Sequence, residues 1–353
     1  MDKLQRSVYI ILFLILFFGG LYFASSFLIP LALAAVFSML FIRLCGYFES
    51  KGINRGVAAL FCMLIFVFTV VLIVGLLYWQ MGSFTENIEE MKSRLSNMVT
   101  DVRAWINEKA GINQKQQQKI VEGQGEQTGT MVMSFAINLV SIGVSTVLVL
   151  VYMYLYLYYR SHIKRFILKL VPQNEKENAA DIVHECGSVA QKYLSGLGAM
   201  IGVLWIMYGI GFSIVGIESA IFFAVLCGIL EIIPFVGNLT GTCLTVLSVI
   251  AQGGDSKMII GVLIVYGLVQ LIQTYILEPL IVGEQVNINP LFTIMAIVLG
   301  EFVWGVAGMI LAIPLLGILK IICDRVPALN AFGFLIGPIS PPKRRKNVFS
   351  RQR

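Results

Sequence analysis

Glu231 and Glu301 are the residues of this chain best placed to do chemistry. Each is a single carboxylate inside a long apolar block, residues 219–251 and 290–322, beside residues that interrupt helices. Glu231 is followed by Pro234, Gly237 and Asn238; Glu301 follows Gly300 and precedes Gly305, Gly308 and Pro314. A carboxylate at the centre of a bilayer costs roughly 3 kcal/mol or more unless it faces a cavity or a partner, so an intramembrane acid marks a functional site by default. The chemistry open to such an acid is proton exchange or cation binding, which makes both residues candidates for ion coupling. Between the blocks, Tyr266, Gln270, Gln273 and Thr274 recur at helical spacing. Lipid would not tolerate that polar stripe, whereas a pore or a partner helix would. Gln270, Gln273 and Asn238 would offer uncharged hydrogen bonds to a polyhydroxylated or cationic substrate.

Enzymatic patterns do not stand beside these residues. The chain has no HExxH, no serine–histidine arrangement, no paired aspartates and no phosphate-binding glycine loop with a lysine. No catalytic residue is therefore expected, and no enzyme or ATP-driven pump within this chain. The six cysteines lack short paired spacing and mostly sit in apolar runs, so neither disulfides nor a metal site is expected, nor any cofactor. His162 and His184 lie in a basic stretch and read as surface residues. Gly196, Gly198 and Gly202 read as close helix packing.

These residues must be held by membrane helices. Hydrophobic residues make up 58% of the 353 and charged ones only 13%, far from the roughly one-quarter charged of soluble domains. The fold class is all-α, a polytopic transmembrane protein with about eight membrane segments. Windows of about 20 apolar residues place spans at 8–28, 30–44, 57–79, 131–158, 196–217 and 258–282, besides the two interrupted blocks. The first is too long for a signal peptide and reads as an uncleaved span. Pro30 marks the link to the second span, and Glu278 with Pro279 ends the span before the last block. Arg43, Lys51 and Arg55 flank one loop, and Arg160, Lys164, Arg165 and Lys169 follow the fourth span. By the positive-inside rule these loops and both termini are cytoplasmic, with Tyr152, Tyr154, Tyr156, Tyr158 and Tyr159 as an aromatic belt at that interface.

The expected organisation is N-terminal transmembrane helices at 1–80, an external helix and linker at 81–130, and a transmembrane helix at 131–160. A cytoplasmic amphipathic connector at 161–195 follows, then a transport core at 196–325 and a basic cytoplasmic tail at 326–353. In the external segment Phe84, Ile88, Met91, Leu95, Met98, Val102 and Trp105 alternate at four and three, a coiled-coil-like seam that needs a partner. Self-association through 84–109 makes the chain a homo-oligomer; packing on its own chain or on the membrane surface are the other uses of the seam. The connector predicts a helix with Asn174 at its cap and Ile182, Cys186, Val189 and Tyr193 on one face. The net charge of +6 resides in Lys343, Arg344, Arg345, Lys346, Arg351 and Arg353. It reads as an anchor on anionic lipid, not as nucleic-acid binding.

Each interrupted block would be about 48 Å long as one helix, against a hydrocarbon core of about 30 Å. Re-entrant hairpins or kinked crossings both resolve the mismatch, and charge bias does not separate them, because either leaves the C-terminus cytoplasmic.

EIIPFVGN at 231–238, followed by EPLIVGEQVNINPLFTIMAIVLGEFVWGVAGMILAIPL at 278–315, resembles the signature region of the autoinducer-2 exporter family of bacterial permeases. The resemblance is specific in the C-terminal third and extends by hydropathy over nearly the whole chain. It implies a bacterial cytoplasmic-membrane exporter of small molecules, autoinducer-2 among them, with sodium or lithium/proton antiport in some members and homo-oligomeric assembly. The family pattern covers Pro234, Gly237, Pro279, Pro290, Gly300, Gly305, Gly308 and Pro314. Where many relatives carry a second small residue after Gly300, this chain carries Glu301.

The leading reading is thus a secondary transporter of small polar molecules or cations, coupled to protons or sodium through Glu231 and Glu301, with the helix breaks as hinges. The alternative is a passive oligomeric channel or membrane scaffold whose main contact surface is the external helix.

Overall fold

The computed structural model describes residues 3–85, 128–233, 236–282 and 288–338, and every regular element among them is helical. The seam beyond Thr85, the polar linker, Pro234 and the basic tail lie outside the described residues. The helices are α1 (Lys3–Phe23), α2 (Ser25–Ser50), α3 (Arg55–Thr85), α4 (Thr128–Lys169), α5 (Lys176–Val215), α6 (Ala220–Leu230) and α7 (Val236–Ala251). They are followed by α8 (Ser256–Ile272) with a π-helical extension (Gln273–Val282), then α9 (Pro290–Arg325) and α10 (Asn330–Ile336). Among the described residues six helices are long and apolar enough to cross a membrane: α1, α2, α3, α5, α8 with its extension, and α9. The protein is an all-α polytopic membrane protein.

Two cores organise these helices. In the first, Ala34 and Cys45 of α2, Ala58, Ala59 and Cys62 of α3, and Met153 and Leu157 of α4 are buried together. Small residues on α2 and α3 leave room for the larger α4 side chains, Met153 and Leu157, which are fully buried there. The second core joins Leu204, Tyr208 and Phe212 of α5 to Phe223, Ala224 and Cys227 of α6 and to Val262 and Val269 of α8. α1 stands at the edge, with Val8–Phe18 exposed along their length, a surface that acyl chains cover in a bilayer. At one end of the molecule, called here the basic end, Glu49 bridges Arg55 at 3.3 Å and Arg160 at 2.6 Å.

Several boundaries differ from those the sequence predicts. The break between the first two helices falls at Ala24, and Pro30 lies buried inside α2 as its sixth residue. So close to an N-terminus proline removes a single ladder bond, which the helix survives. The amphipathic connector and the following span are one helix, α5, of 40 residues. Asn174 belongs to a 3-10 turn before it, and the N-cap is Glu175, without a side-chain cap bond. Cys186 and Tyr193 do face inward as expected. Glu278 and Pro279 do not end their helix, because the wider π turn carries on to Val282 past a residue with no N–H to give. Nor do Gly198 and Gly202 pack closely, since a Cβ added at either meets open space. Close helix approach on α5 occurs instead at Gly211, against Val265, with Val215 against Gly261 of α8 and Trp205 over Gly228 of α6.

Those contacts fix the directions. Gly211–Val265 and Val215–Gly261 run antiparallel between α5 and α8, and Gly209–Ala224 with Trp205–Gly228 do so between α5 and α6.

Candidate functional site

Both interrupted blocks fold back on themselves. In the first, Gly237 lies against the Leu230 carbonyl and Gly241 against the Cys227 backbone, while Cys227 Sγ meets Thr245 Oγ1 at 3.8 Å. Positions that rise on one strand of the pair as they fall on the other describe an antiparallel hairpin, made of α6 and α7. α6 is ~16 Å long and α7 ~24 Å, so neither crosses the hydrocarbon core alone. The second block keeps helical dihedrals except at Trp304 (φ −134°, ψ 16°) and Gly305 (φ 57°, ψ −140°). There the chain reverses: the Gly300 and Gly308 backbones, which a straight helix would hold ~12 Å apart, touch. Farther from the turn, the Asn289 N–H donates to the Ile336 carbonyl, and α10 packs back on Asp324 through Gly333. The turn is therefore made at Trp304–Gly305; Pro314 lies buried in a helix that continues to Arg325.

Glycine is required at these turns for separate reasons. The Gly305 dihedrals lie in a region that L side chains rarely adopt. At Gly237, Gly300 and Gly308 the obstacle is space, since a Cβ would enter another backbone.

The tip of the first hairpin is polar and sheltered. Glu231 follows the last turn of α6, and its Oε1 accepts from Gln273 Nε2 at 2.6 Å. Gln273 is 1% exposed, at the first position of the π-helix. Glu231 Oε2 and Gln273 Oε1 are both buried without a hydrogen-bond partner. Beside this pair, the Tyr208 hydroxyl donates to Asn238 Oδ1 at 2.9 Å, Asn238 Nδ2 donates to Gln270 Oε1, and Gln270 Nε2 donates to Thr274 Oγ1 at 3.3 Å. Trp205 Nε1 donates to the Val225 carbonyl at 3.1 Å and holds α6 to α5. Trp205 lies ten residues from the end of α5, ~15 Å, which is half the thickness of a hydrocarbon core.

The structure thus brings Glu231, Asn238, Gln270 and Gln273 together. Glu301 stands elsewhere. It is exposed beside Tyr22, Phe23, Ser25 and Ile29 in an open cleft of about 510 Å³, where the tip of the second hairpin meets the α1–α2 junction. Trp304 Nε1 ties that tip to the Leu21 carbonyl at 3.0 Å. Among the described residues no hydrogen bond links the two acids' surroundings.

Sequence reasoning passed over Tyr208, which is fully buried, and the inner face of α7. On that face Asn238, Thr242, Thr245 and Ser248 are all buried at spacings of four, three and three. Thr245 Oγ1 donates to the Gly241 carbonyl at 2.8 Å, whereas Thr242 Oγ1 has no partner. The spacing was readable, but hydroxyls in an apolar helix are ordinarily absorbed by their own backbone.

Residues 11–328 match the model of the AI-2E family transporter. The protein named "Putative permease PerM" of Escherichia coli strain K12 is 25% identical over 334 residues, covering 91% of this chain and 94% of its own. "Putative transport protein YhhT" of the same strain is 20% identical over 334 residues, 94% of each chain. "Putative transport protein YrrI" of Bacillus subtilis strain 168 is 25% identical over 159 residues, 45% of this chain and 44% of that protein. With a match that spans nearly all of its helices, this chain belongs to the AI-2E family of membrane transporters.

Proposed function

We propose that the chain is a secondary transporter of small polar molecules or cations that uses Glu231 as its coupling group. The observation that carries this reading is the contact of Glu231 with Gln273 at a helix break, with one acceptor oxygen on each left buried and unpartnered. A buried polar atom without a partner costs about 1–3 kcal/mol, and more when charged. A proton on Glu231 turns its free oxygen into a donor; a small cation satisfies oxygen acceptors directly. Carbonyls gather at the C-terminal end of α6, where partial negative charge adds to that of the acid and favours either species. Broken helices that present such a group near the bilayer midplane are the usual build of secondary transporters.

Asn238 and Gln270, joined to each other and to Tyr208, supply uncharged donors and acceptors to a polar substrate. Export of small molecules of the autoinducer-2 kind follows from the family resemblance; the hydrogen-bonding groups here do not by themselves select a diol. Glu301, outside this network, serves at most as an acid on the surface of the second hairpin. The clustering of Arg43, Arg55, Arg160 and Lys164 at one end supports a cytoplasmic assignment for that end in a bacterial inner membrane, with both termini on the same side. Self-association through 84–109 stays part of the reading.

The test is flux in proteoliposomes under imposed proton or sodium gradients, with candidate polar metabolites inside. Glu231→Gln keeps the acceptor for Gln273 and removes the titratable charge. Gradient-driven flux equal to wild type in that variant would remove Glu231 from the mechanism.

A further inference from the structure

At the basic end a second cavity, of about 300 Å³, opens where α2, α4 and α5 meet. Arg43, Arg160, Lys164 and His184 line it, and no acid does. Arg43 and Lys164 have no ion pair among the described residues. Arg160 gives Nη2 to Glu49 at 2.6 Å and keeps Nη1 buried without a partner. Ser188 adds a hydroxyl to the wall, and Met39, Ile42 and Val183 add apolar surface.

This set of groups has a definite taste in ligands. Several cationic donors converging from three helices suit a tetrahedral oxyanion, which offers each of them an oxygen. The depth agrees. Arg43 lies 18 residues along α2 from Ser25, ~27 Å, close to the thickness of a hydrocarbon core and hence at the level of one leaflet's phosphates. The tyrosines of α4, ending at Tyr159 just before Arg160, mark the same interface.

We infer that this cavity binds a phosphate group, carried either by an anionic lipid headgroup or by a soluble phosphate. The apolar part of the wall gives the start of an acyl chain somewhere to lie, which a soluble phosphate would not use. Its place in the fold gives binding a consequence. α2 and α4 belong to the N-terminal core and α5 to the core that carries Tyr208, and among the described residues the Gln191 amide donates across to the Leu40 carbonyl at 3.3 Å. A phosphate held by Arg43, Lys164 and the α5 residues braces one core against the other.

The experiment uses the full chain in detergent, with bound lipid read by native mass spectrometry and stability by thermal unfolding. Phosphatidylglycerol, phosphatidylcholine and inorganic phosphate at matched ionic strength are the probes. Retention of phosphatidylglycerol over phosphatidylcholine, weakened about thirtyfold in Arg43→Gln/Lys164→Gln and kept in Arg43→Lys/Lys164→Arg, assigns a lipid headgroup. The same variant pattern with inorganic phosphate assigns a soluble ligand. Arg165→Gln/Lys169→Gln removes two charges outside the cavity and is expected to leave binding within about twofold. Equal losses in the two neutralised variants would replace the site by diffuse surface charge, and no binding of either anionic probe would also overturn it. If the Arg43/Lys164 variant does not fold, Ser188→Glu places an acid among the cations and must weaken binding to a similar degree; binding as in wild type would again overturn the site.

Discussion

The two hairpins are built alike and used differently. Each reverses at a short break, each is closed by glycines whose backbones leave no room for a side chain, and each carries an acid within a few residues of its turn. In the first, the facing ends of α6 and α7 lie against α5 and α8, so Glu231 meets Gln273, and Asn238 joins Tyr208 to Gln270. In the second, the turn emerges beside the α1–α2 junction, with Phe302 75% exposed and Glu301 in an open cleft. The same local sequence sign, an acid beside helix-breaking residues, therefore yields a sheltered polar centre in one place and an exposed rim in the other. What separates them is the partner helix: α5 and α8 offer Tyr208, Gln270 and Gln273, while α1 and α2 offer Tyr22, Phe23, Ser25 and Ile29.

The comparison breaks most readily at Glu231. In proteoliposomes Glu231→Gln is expected to bring gradient-driven flux down to that of empty liposomes while thermal unfolding of the purified protein stays near wild type. Retained flux would make the first hairpin as structural as the second.

The next effect is on stability and falls on the second hairpin. Gly308→Ala puts a Cβ into the Gly300 carbonyl, backbone on backbone, where no side chain can swing aside. Overpacking of this kind typically costs 1–3 kcal/mol, and this substitution is expected at about 3. Gly305→Ala meets no neighbour and carries only dihedral strain, roughly 1–3 kcal/mol. The thermal midpoint should therefore drop more for Gly308→Ala than for Gly305→Ala; the reverse order would mean that the turn, rather than the glycine contact, holds the hairpin shut.

A smaller loss sharpens the picture of the first hairpin. Tyr208→Phe removes the donor to Asn238 Oδ1 and leaves a buried amide oxygen unpaired, at a cost of about 1–3 kcal/mol. It should lower the thermal midpoint and raise the substrate concentration for half-maximal flux, without abolishing coupling. Loss of coupling to the extent of Glu231→Gln would place Tyr208 in the proton or cation path itself.

How much of this could be read from the sequence follows from the same physics. The helical class, the spans and the two breaks were legible because lipid forces apolar length and punishes Gly, Pro and Glu that lack a reason. That α5 runs without a break from Lys176 to Val215 was not, because hydropathy reports the solvent around a helix rather than the helix, and the change from charged to apolar residues near 196 looks like a boundary. The break at Ala24 instead of Pro30 follows from proline's mildness near a helix start. Gln270, Gln273 and Thr274 looked like one stripe, but the π-helix begins at Gln273 and turns that side chain inward while Thr274 stays exposed. The pairing of Tyr208 with Asn238, 30 residues apart, is a tertiary fact that no local pattern carries.

The smallest effect is expected at Glu301, and it tests the comparison from the other side. Glutamine there removes one charge from an exposed side chain with no hydrogen bond among the described residues, so flux and stability should stay within about twofold of wild type. Exposure in a bilayer protein means contact with lipid or with the water that fills a cleft; a 510 Å³ opening beside Ser25 and the carboxylate itself is the kind that water fills. Glu301 stands apart from the Tyr208–Asn238–Gln270 chain and from Gln273, which is why its neutralisation should pass unnoticed. Were Glu301→Gln to lose coupling as Glu231→Gln does, the second hairpin would have to bury its acid in another state, and the two hairpins would form one alternating device in place of a working tip and a scaffold.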